Sequence, residues 1–447
     1  MATLYFPRRP ERPSLRHNRL TTSQPILRRR LALNVAALCG LALLHGCGAV
    51  GQTTTSRRAT RSIQPLAAES IALGETRPVG VTFKSDHIAP AHATWVAMID
   101  RAQTHLDIGQ FYVANRPGTR LELVIKAIER AARRGVKVRL LVDTLFAKKY
   151  PKSLARLGAH VAVRRFDVKA HMGGVLYVKY FVVDRKIAWL GSQNFDWRSL
   201  AHIHEIGLRL HVSAAVKPLQ ATFDYDWALA TKTPGKRPFV DHATLPQPIF
   251  TPAKWSTHKV FIAPVGSPVG YLPRGMAWEL PALVRWLDGA KSTVRLQLLS
   301  MHRRARDSSD FPMLFEALRR AARRGVKVSI LLAHWSKSRR SSRELSALQR
   351  EAGITVRFAT IPQHDGGFIP FARVIHSKYL VVDQQKTWIG TSNWSKGYFY
   401  GSRNVGVLVQ GKAFAAALVE VFQGLWEGPM AETLVPDKAY PRPRVAR

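Results

Sequence analysis

Cysteine is almost absent from this chain of 447 residues: Cys39 and Cys47 are the only two. Both lie in an N-terminal stretch, so the rest of the chain can form neither a disulfide nor a thiolate metal site. Acidic side chains are also scarce, 29 against 68 Lys and Arg, which leaves a formal charge of +39. The imbalance does not come from the N-terminus alone. Beyond residue 47 there remain 60 basic and 28 acidic side chains, an excess of 32. A field of that sign attracts polyanions, either nucleic acid or anionic lipid headgroups, although charge by itself names no ligand and also serves solubility. Long apolar runs are missing too. Leu31 to Leu44 spans fourteen residues interrupted by Asn34, too short to cross a bilayer comfortably. Hydrophobic residues nevertheless make up 46% of the chain. That excludes a disordered protein and lets each of about two or three domains bury a core.

The apolar stretch follows Arg28-Arg29-Arg30 and ends at Leu44-His45-Gly46-Cys47. A basic front and small residues at the end read as a secretion signal. The closing tetrapeptide resembles a bacterial lipobox, whose cysteine is lipidated and becomes the new N-terminus; His45 is unusual in that slot. The triple arginine resembles, more loosely, a twin-arginine export signal. Residues 1–47 are therefore expected to be a lipoprotein-type signal peptide with Cys47 lipidated, the alternatives being a buried helix or an inner-membrane anchor. Residues 48–76, rich in Ser, Thr, Gly and Arg, suit a flexible tether. The protein would then be exported and anchored to a membrane facing the bacterial periplasm, or secreted.

The remainder repeats itself. Ala131-Ala132-Arg133-Arg134-Gly135-Val136-Lys137-Val138 recurs residue for residue at 321–328, an offset of 190. Tyr177-Val-Lys-Tyr-Phe-Val-Val-Asp184 matches His376-Ser-Lys-Tyr-Leu-Val-Val-Asp383 at an offset of 199. The same offset relates Gly191-Ser192-Gln193-Asn194 to Gly390-Thr391-Ser392-Asn393, and Phe223/Trp227 to Phe422/Trp426. One register held over about fifty residues indicates a tandem duplication whose chemistry sits where the copies meet. Within each copy, strand and helix patterns alternate. Ala93 to Gln103 is patterned as a helix and Leu106 to Val113 as a buried strand. Leu121, Val124, Ile125 and Ile128 share one helix face that runs out at Gly135, before a strand from Val136 to Asp143; Phe311, Leu314, Phe315 and Leu318 form the equivalent face. Closing helices are expected around Val216 to Ala230 and Phe414 to Trp426. This alternation implies an α/β fold in two domains, residues 77–231 and 276–436, with helices covering a largely buried sheet. Residues 232–275 hold eight prolines and read as a linker that wraps the surface, and the basic tail 437–447 is expected to be loose.

The repeated motifs carry the chemistry. Alternation along a strand puts His376 and Lys378 on one face, and Asn393 follows on a turn that can return its amide to the same place. An ammonium and an amide beside an imidazole suit a phosphate diester, whose charge they neutralise in a pentacovalent transition state. Lys179 and Asn194 supply the same pair from the other copy, so that two Lys and two Asn surround one phosphate. Asp184 and Asp383 complete the motif, more as anchors of nearby backbone than as proton carriers. Ser192 and Thr391 shape the turns. The Phe and Trp pairs sit at i and i+4, which favours helix-to-sheet packing over base stacking.

These residues resemble the signature of the phospholipase D superfamily, His-x-Lys-x4-Asp followed by Gly-Ser-x-Asn, normally present twice per chain. The resemblance covers about Phe83 to Trp426. It is nearest in look to the branch holding lysosomal single-strand exonucleases and poxvirus envelope phospholipases, on the strength of Gly191 to Ser199 and Gly390 to Ser395. It implies two α/β/α sandwich domains packed about a pseudo-twofold, a monomer with one site between them, and a route that needs no metal or cofactor. One histidine attacks phosphorus to form a phosphohistidine; the other protonates the leaving oxygen and then activates water. The implied substrate is a phosphodiester, in an anionic phospholipid or single-stranded nucleic acid.

The match breaks at Tyr177, which stands where the first copy would have the histidine that is usually the nucleophile. Three readings follow. His376 becomes the nucleophile and the Tyr177 phenol the acid, helped if Lys179 and Lys378 lower its pKa from about 10. Or the site binds phosphates without turnover, as a catalytically impaired binder of polyanions or membranes. Or His171, six residues upstream, folds back to replace the missing ring. Weak or altered catalysis is the reading adopted. In relatives a carboxylate about twenty-eight residues after each histidine orients the ring; those places are Glu205 and Asn404. Glu205 is accordingly expected to accept from Tyr177, and Asn404 to hold His376 as a neutral acceptor.

Overall fold

The computed structural model describes residues 63–446 apart from residues 86 and 306. The signal segment 1–47 with Cys47, and the tether up to residue 62, lie outside the described residues. Within each half, the helix-spaced apolar residues face inward. The helix Arg120–Arg133 buries Leu121, Val124, Ile125 and Ile128, and Met313–Arg323 buries Leu314, Phe315 and Leu318. Both helices run into a glycine in the left-handed region, Gly135 at φ +89° and Gly325 at φ +87°. The next valine N–H then returns to the carbonyl of Ala131 at 3.1 Å, or of Ala321 at 3.2 Å. This cap closes each helix and aims the chain into the strands Lys137–Asp143 and Lys327–Ala333. It gives the eight-residue identity between the copies a structural reason.

In the first half the strands lie in the order Ala162–Phe166, Lys137–Asp143, His105–Gln110, Lys179–Val183, Ile187–Gly191, Glu205–His211 and Ser70–Thr76. The second half repeats it as Ile354–Ala359, Lys327–Ala333, Thr293–Leu298, Tyr379–Val382, Lys386–Gly390, Asn404–Gln410 and His258–Ser267. The first three strands of each set are parallel and the others antiparallel. Ser70–Thr76 also runs parallel to Thr251–Trp255, which joins the two sheets edge to edge. Each sheet is covered on both faces. One buried cluster is common to both halves, taking Phe223 from the helix Ser213–Leu229, Phe422 from Lys412–Trp426, and Leu208 and Val407 from the strands. Of the two outer clusters, one lies in the first half around Trp95 and Ile125, and the other centres on Leu283 and Leu314 of the second half and takes in Phe111, Val175 and Tyr177 of the first. Phe223 stacks on Trp227 at 5.6 Å and Phe422 on Trp426 at 5.3 Å, with Arg139 and Arg357 over the rings; these pairs are packing elements.

The halves meet through reciprocal backbone pairing. Tyr177 N–H donates to the Arg403 carbonyl at 3.0 Å, and Arg403 N–H donates to Val175 at 3.0 Å. Across the pseudo-twofold, His376 N–H donates to the His204 carbonyl at 2.8 Å, and His204 N–H donates to Val374 at 2.9 Å. Each residue in one pairing lies 199 positions from its counterpart in the other. The side chain of Arg403 then forms a buried two-point ion pair with Asp226 on the first half's closing helix, Nη2 to Oδ1 at 2.7 Å and Nε to Oδ2 at 2.9 Å.

Three boundary expectations are corrected. Ser70–Thr76, assigned to the tether, is a sheet strand, paired along its whole length with Glu205–His211. Its small residues hid it, and one of them is required: a Cβ on Gly74 would sit 2.4 Å from the Trp189 ring. The proline-rich linker contains the hairpin Thr251–Trp255 and His258–Ser267, whose Pro252 and Pro264 mask the strand pattern. The tail is docked, since Phe371 N–H donates to the Val445 carbonyl at 2.8 Å and Tyr440 packs against Phe358.

Replacing Asp226 by Asn would leave the Arg403 guanidinium buried with no counter-charge. The expected cost is about 3–5 kcal/mol in urea unfolding, whereas a surface pair such as Arg130–Asp100 should cost about 1 kcal/mol or less.

Candidate active site

The motif strands begin at Lys179 and Tyr379, so Tyr177 and His376 occupy the two segments that enter the sheet directly from the seam. There they face each other, the Tyr177 hydroxyl 3.4 Å from His376 Nε2. Each residue exposes 7% of its surface. The lysines flank them symmetrically. Lys179 Nζ donates to the Tyr177 carbonyl at 2.7 Å and lies 3.4 Å from the centre of its ring; Lys378 Nζ donates to the His376 carbonyl. Asn393 opposes the upward shift of the Tyr177 phenol, donates from Nδ2 to the Tyr398 hydroxyl at 3.1 Å, and accepts from Ser300 N–H at 3.4 Å. Asn194 is buried on the equivalent turn of the first half, with its Oδ1 unpartnered, and the backbone of Ser192 on that turn reaches His376. Tyr177, Lys179, His376, Lys378 and Asn393 therefore share one place.

The orienting groups are crossed relative to the sequence expectation. Glu205 does not accept from Tyr177; its Oε1 lies 2.5 Å from His376 Nδ1, and Ser199 donates to its other oxygen. The seam dictates this, because His204 of the first half pairs with the chain entering at His376, and Glu205 is the next residue. By the same operation Asn404 falls on the Tyr177 side. Its amide is spent locally, donating to the Tyr398 and Ser402 carbonyls at 2.9 and 3.0 Å and accepting from Thr391 at 2.9 Å, so it does not hold His376. His376 thus has a carboxylate partner, whereas the register places an amide, Asn404, on the Tyr177 side. In the tautomer with the proton on Nδ1, Glu205 Oε1 accepts it and the Nε2 lone pair is presented to the site.

Burial sets the electrostatics. It pushes the His376 pKa well down, helped by the neighbouring charges of Lys378 and Lys179. Lys179 is lowered by burial and then by Lys378, and Lys378 by burial. Burial raises Glu205, opposed by Ser199 and by both lysines. Tyr177 moves opposite to expectation. Burial, then Tyr398, then Glu205 hold its phenol well above the usual value, outweighing any help from the lysines, so it remains a neutral proton donor.

Other candidates lie elsewhere. Asp184 accepts from the N–H groups of Gln103, Thr104 and His105, and Asp383 from those of Lys291, Ser292 and Thr293; both anchor the loop leading into a central strand and stand outside the cluster around Tyr177 and His376. Ser192 and Thr391 pin their turns to Ile206 and Val405. His171 packs against Phe166 in a short helix and does not replace the missing ring. Ser199 and Tyr398 were not anticipated, although they too are separated by 199 positions. They fall in segments whose local sequences differ, so only the register could have found them.

A family profile described as "Cardiolipin synthase, PLD-like domain" matches residues 95–227 and 283–426, one stretch in each half and more than half of the chain together. The chain belongs to the phospholipase D superfamily. Among its relatives are Phospholipase D Z of Dictyostelium discoideum, 29% identical over 80% of this chain and 90% of that protein. The 5'-3' exonuclease PLD3 of Rattus norvegicus is 30% identical over 81% of this chain and 80% of its own. The virion nicking-joining enzyme of Vaccinia virus is 28% identical over 79% and 86%. The crystal structure of phosphatidylserine synthase from Haemophilus influenzae shares the fold, with a TM-score of 0.56 at 12% identity over 83% of this chain and 88% of that one. The superfamily is one of phosphodiesterases, and the phospholipase D architecture explains the paired sheets and single seam.

The His376 ring should titrate below its ordinary value near 6.5, followed through its C2 proton by NMR. Because Lys378 depresses it, Lys378→Met should move the midpoint upward.

Proposed function

We propose that this chain hydrolyses phosphodiesters with His376 as nucleophile and Tyr177 as proton donor. The observation that carries the reading is the line Glu205, His376, Tyr177, in which a carboxylate holds one ring nitrogen, the other faces a neutral phenol, and two lysines stand beside them. In the first step the Nε2 lone pair forms a bond to phosphorus as the bond to the leaving oxygen breaks, and the Tyr177 proton passes to that oxygen. In the second, water attacks phosphorus, its proton returns to Tyr177, and the nitrogen–phosphorus bond breaks. Lys179, Lys378, Asn194 and Asn393 are the donors for the phosphoryl oxygens; a bound diester supplies the counter-charge that the buried ammonium groups lack.

Single-stranded nucleic acid is the substrate class favoured, with anionic phospholipid as the other arm of the test. Support comes from the basic excess beyond residue 47 and from two relatives named for acting as an exonuclease and a nicking-joining enzyme over about four-fifths of their lengths. Pure protein without metal is offered oligonucleotides, phosphatidylcholine and phosphatidylglycerol. His376→Asn should abolish turnover of whichever is cleaved, and Tyr177→Phe should lower kcat by about 10²–10⁴. Turnover that persists in His376→Asn would refute the mechanism, and turnover of lipid alone would reassign the substrate.

The basic-apolar segment closing at Cys47 supports an exported, lipid-anchored protein facing the periplasm, and the presence of both halves in one chain supports a monomer. Cys47→Ser should release the protein from the membrane fraction of cells and abolish labelling by a fatty acid; unchanged fractionation would remove the anchor.

A further inference from the structure

Three pairs of positions around the seam obey the 199-residue register, and at all three the two copies hold different residues. About His376 the first half supplies Glu205 and Ser199: Ser199 bonds the carboxylate, and the carboxylate bonds the ring. The counterparts about residue 177 are Asn404 and Tyr398. A difference between the copies confined to residue 177 would leave a carboxylate at 404 and a serine at 398. Both positions differ as well, and the three residues on this side fit one another. Asn404 is turned away into backbone carbonyls, one of them that of Tyr398. The Tyr398 ring packs edge-on to Tyr177 with centroids 5.0 Å apart, its hydroxyl accepts from Asn393 Nδ2 at 3.1 Å, and it helps to hold the Tyr177 phenol protonated. Tyr398 exposes 1% of its surface, so its polar atom is engaged entirely within the site.

We propose that Tyr398 is a positioning residue for proton transfer: it fixes the Tyr177 hydroxyl beside His376 Nε2, and the Tyr177–Tyr398 phenol pair replaces, as one unit, the imidazole, carboxylate and hydroxyl that flank His376 on the other side. A histidine is steered by its second ring nitrogen, which a carboxylate can grip. A phenol has only its oxygen, so the group that steers it must bond that same oxygen, and Tyr398 is long enough to reach it where serine is not. This inference rests on the hydrolytic reading above. The bonds made and broken are those already given; Tyr398 keeps its own proton throughout.

The test separates acid assistance from simple structural damage by varying the leaving group. A dinucleotide leaves as an alkoxide and needs the Tyr177 proton, whereas bis(p-nitrophenyl) phosphate leaves as a stabilised phenolate and needs it far less. In Tyr398→Phe, which keeps the ring, kcat on the dinucleotide should fall about tenfold or more with KM within about twofold. The fall on the nitrophenyl ester should be at least about fivefold smaller. Equal losses on both substrates, or none on either, would overturn the proposal while leaving the hydrolytic reading intact. A wild-type protein that turns over neither of these nor phospholipid would instead remove the hydrolytic reading, and this inference with it. A second variant guards against a damaged fold. Tyr177→His with Tyr398→Ser and Asn404→Glu rebuilds the arrangement around His376, and it should exceed Tyr177→His alone by about tenfold or more in kcat. Equal activity of the two would show that the three positions do not act as a unit.

Discussion

The seam is a set of four backbone hydrogen bonds in which each half's motif segment pairs with the start of the other half's penultimate strand. Everything at the site follows from that exchange. Because His204 pairs with the chain entering at His376, Glu205 is delivered to a histidine that lies 171 positions away in sequence. The same exchange puts Asn404 beside Tyr177. Buried backbone groups left unpaired are costly, so the register of the seam is enforced at the level of the main chain before any side chain contributes. The Arg403–Asp226 pair then locks the second half's seam residue to the first half's closing helix. A slip at the seam would break the backbone pairing, that ion pair and the orientation of His376 together.

The buried setting decides what each group can do. A lysine in water is a stable cation, but Lys179 and Lys378 are held in a space with one carboxylate between them, and burial disfavours their charge. An anionic diester relieves that penalty, so affinity for substrate and the protonation of the lysines are linked. His376 is kept neutral by the same burial, which suits a nucleophile. Tyr177 is kept protonated, which suits an acid. Burial alone favours the unprotonated ring of one group and the protonated hydroxyl of the other, 3.4 Å apart, because their charged forms have opposite signs.

Much of this was legible in the sequence, and the failures have identifiable causes. The repeat register located the motif residues and the helix faces, because apolar spacing and the Gly135 and Gly325 caps are local properties. The strand Ser70–Thr76 was missed because its identity depends on Trp189, more than a hundred residues away, which demands glycine at 74. The hairpin in the linker was missed because Pro252 and Pro264 suppress the strand signal where the edge and the antiparallel partner tolerate them. The Glu205 and Asn404 pairings were reversed because twenty-eight residues of sequence separation suggest a partner in the same copy, whereas the crossover between copies is a tertiary fact. Tyr177 was expected to feel its lysines; burial and Tyr398 dominate, and neither can be read from the motif alone.

Joining both copies in one polypeptide has a further consequence. In an assembly of two identical chains, any change to a residue on the axis appears twice, so a site with one imidazole and one phenol could never arise: both sides would be histidine or both tyrosine. The parallel contact between Ser70–Thr76 and Thr251–Trp255 makes the two copies parts of one continuous sheet and fixes them in cis. Covalent linkage thereby frees the two facing positions, 177 and 376, to hold different side chains.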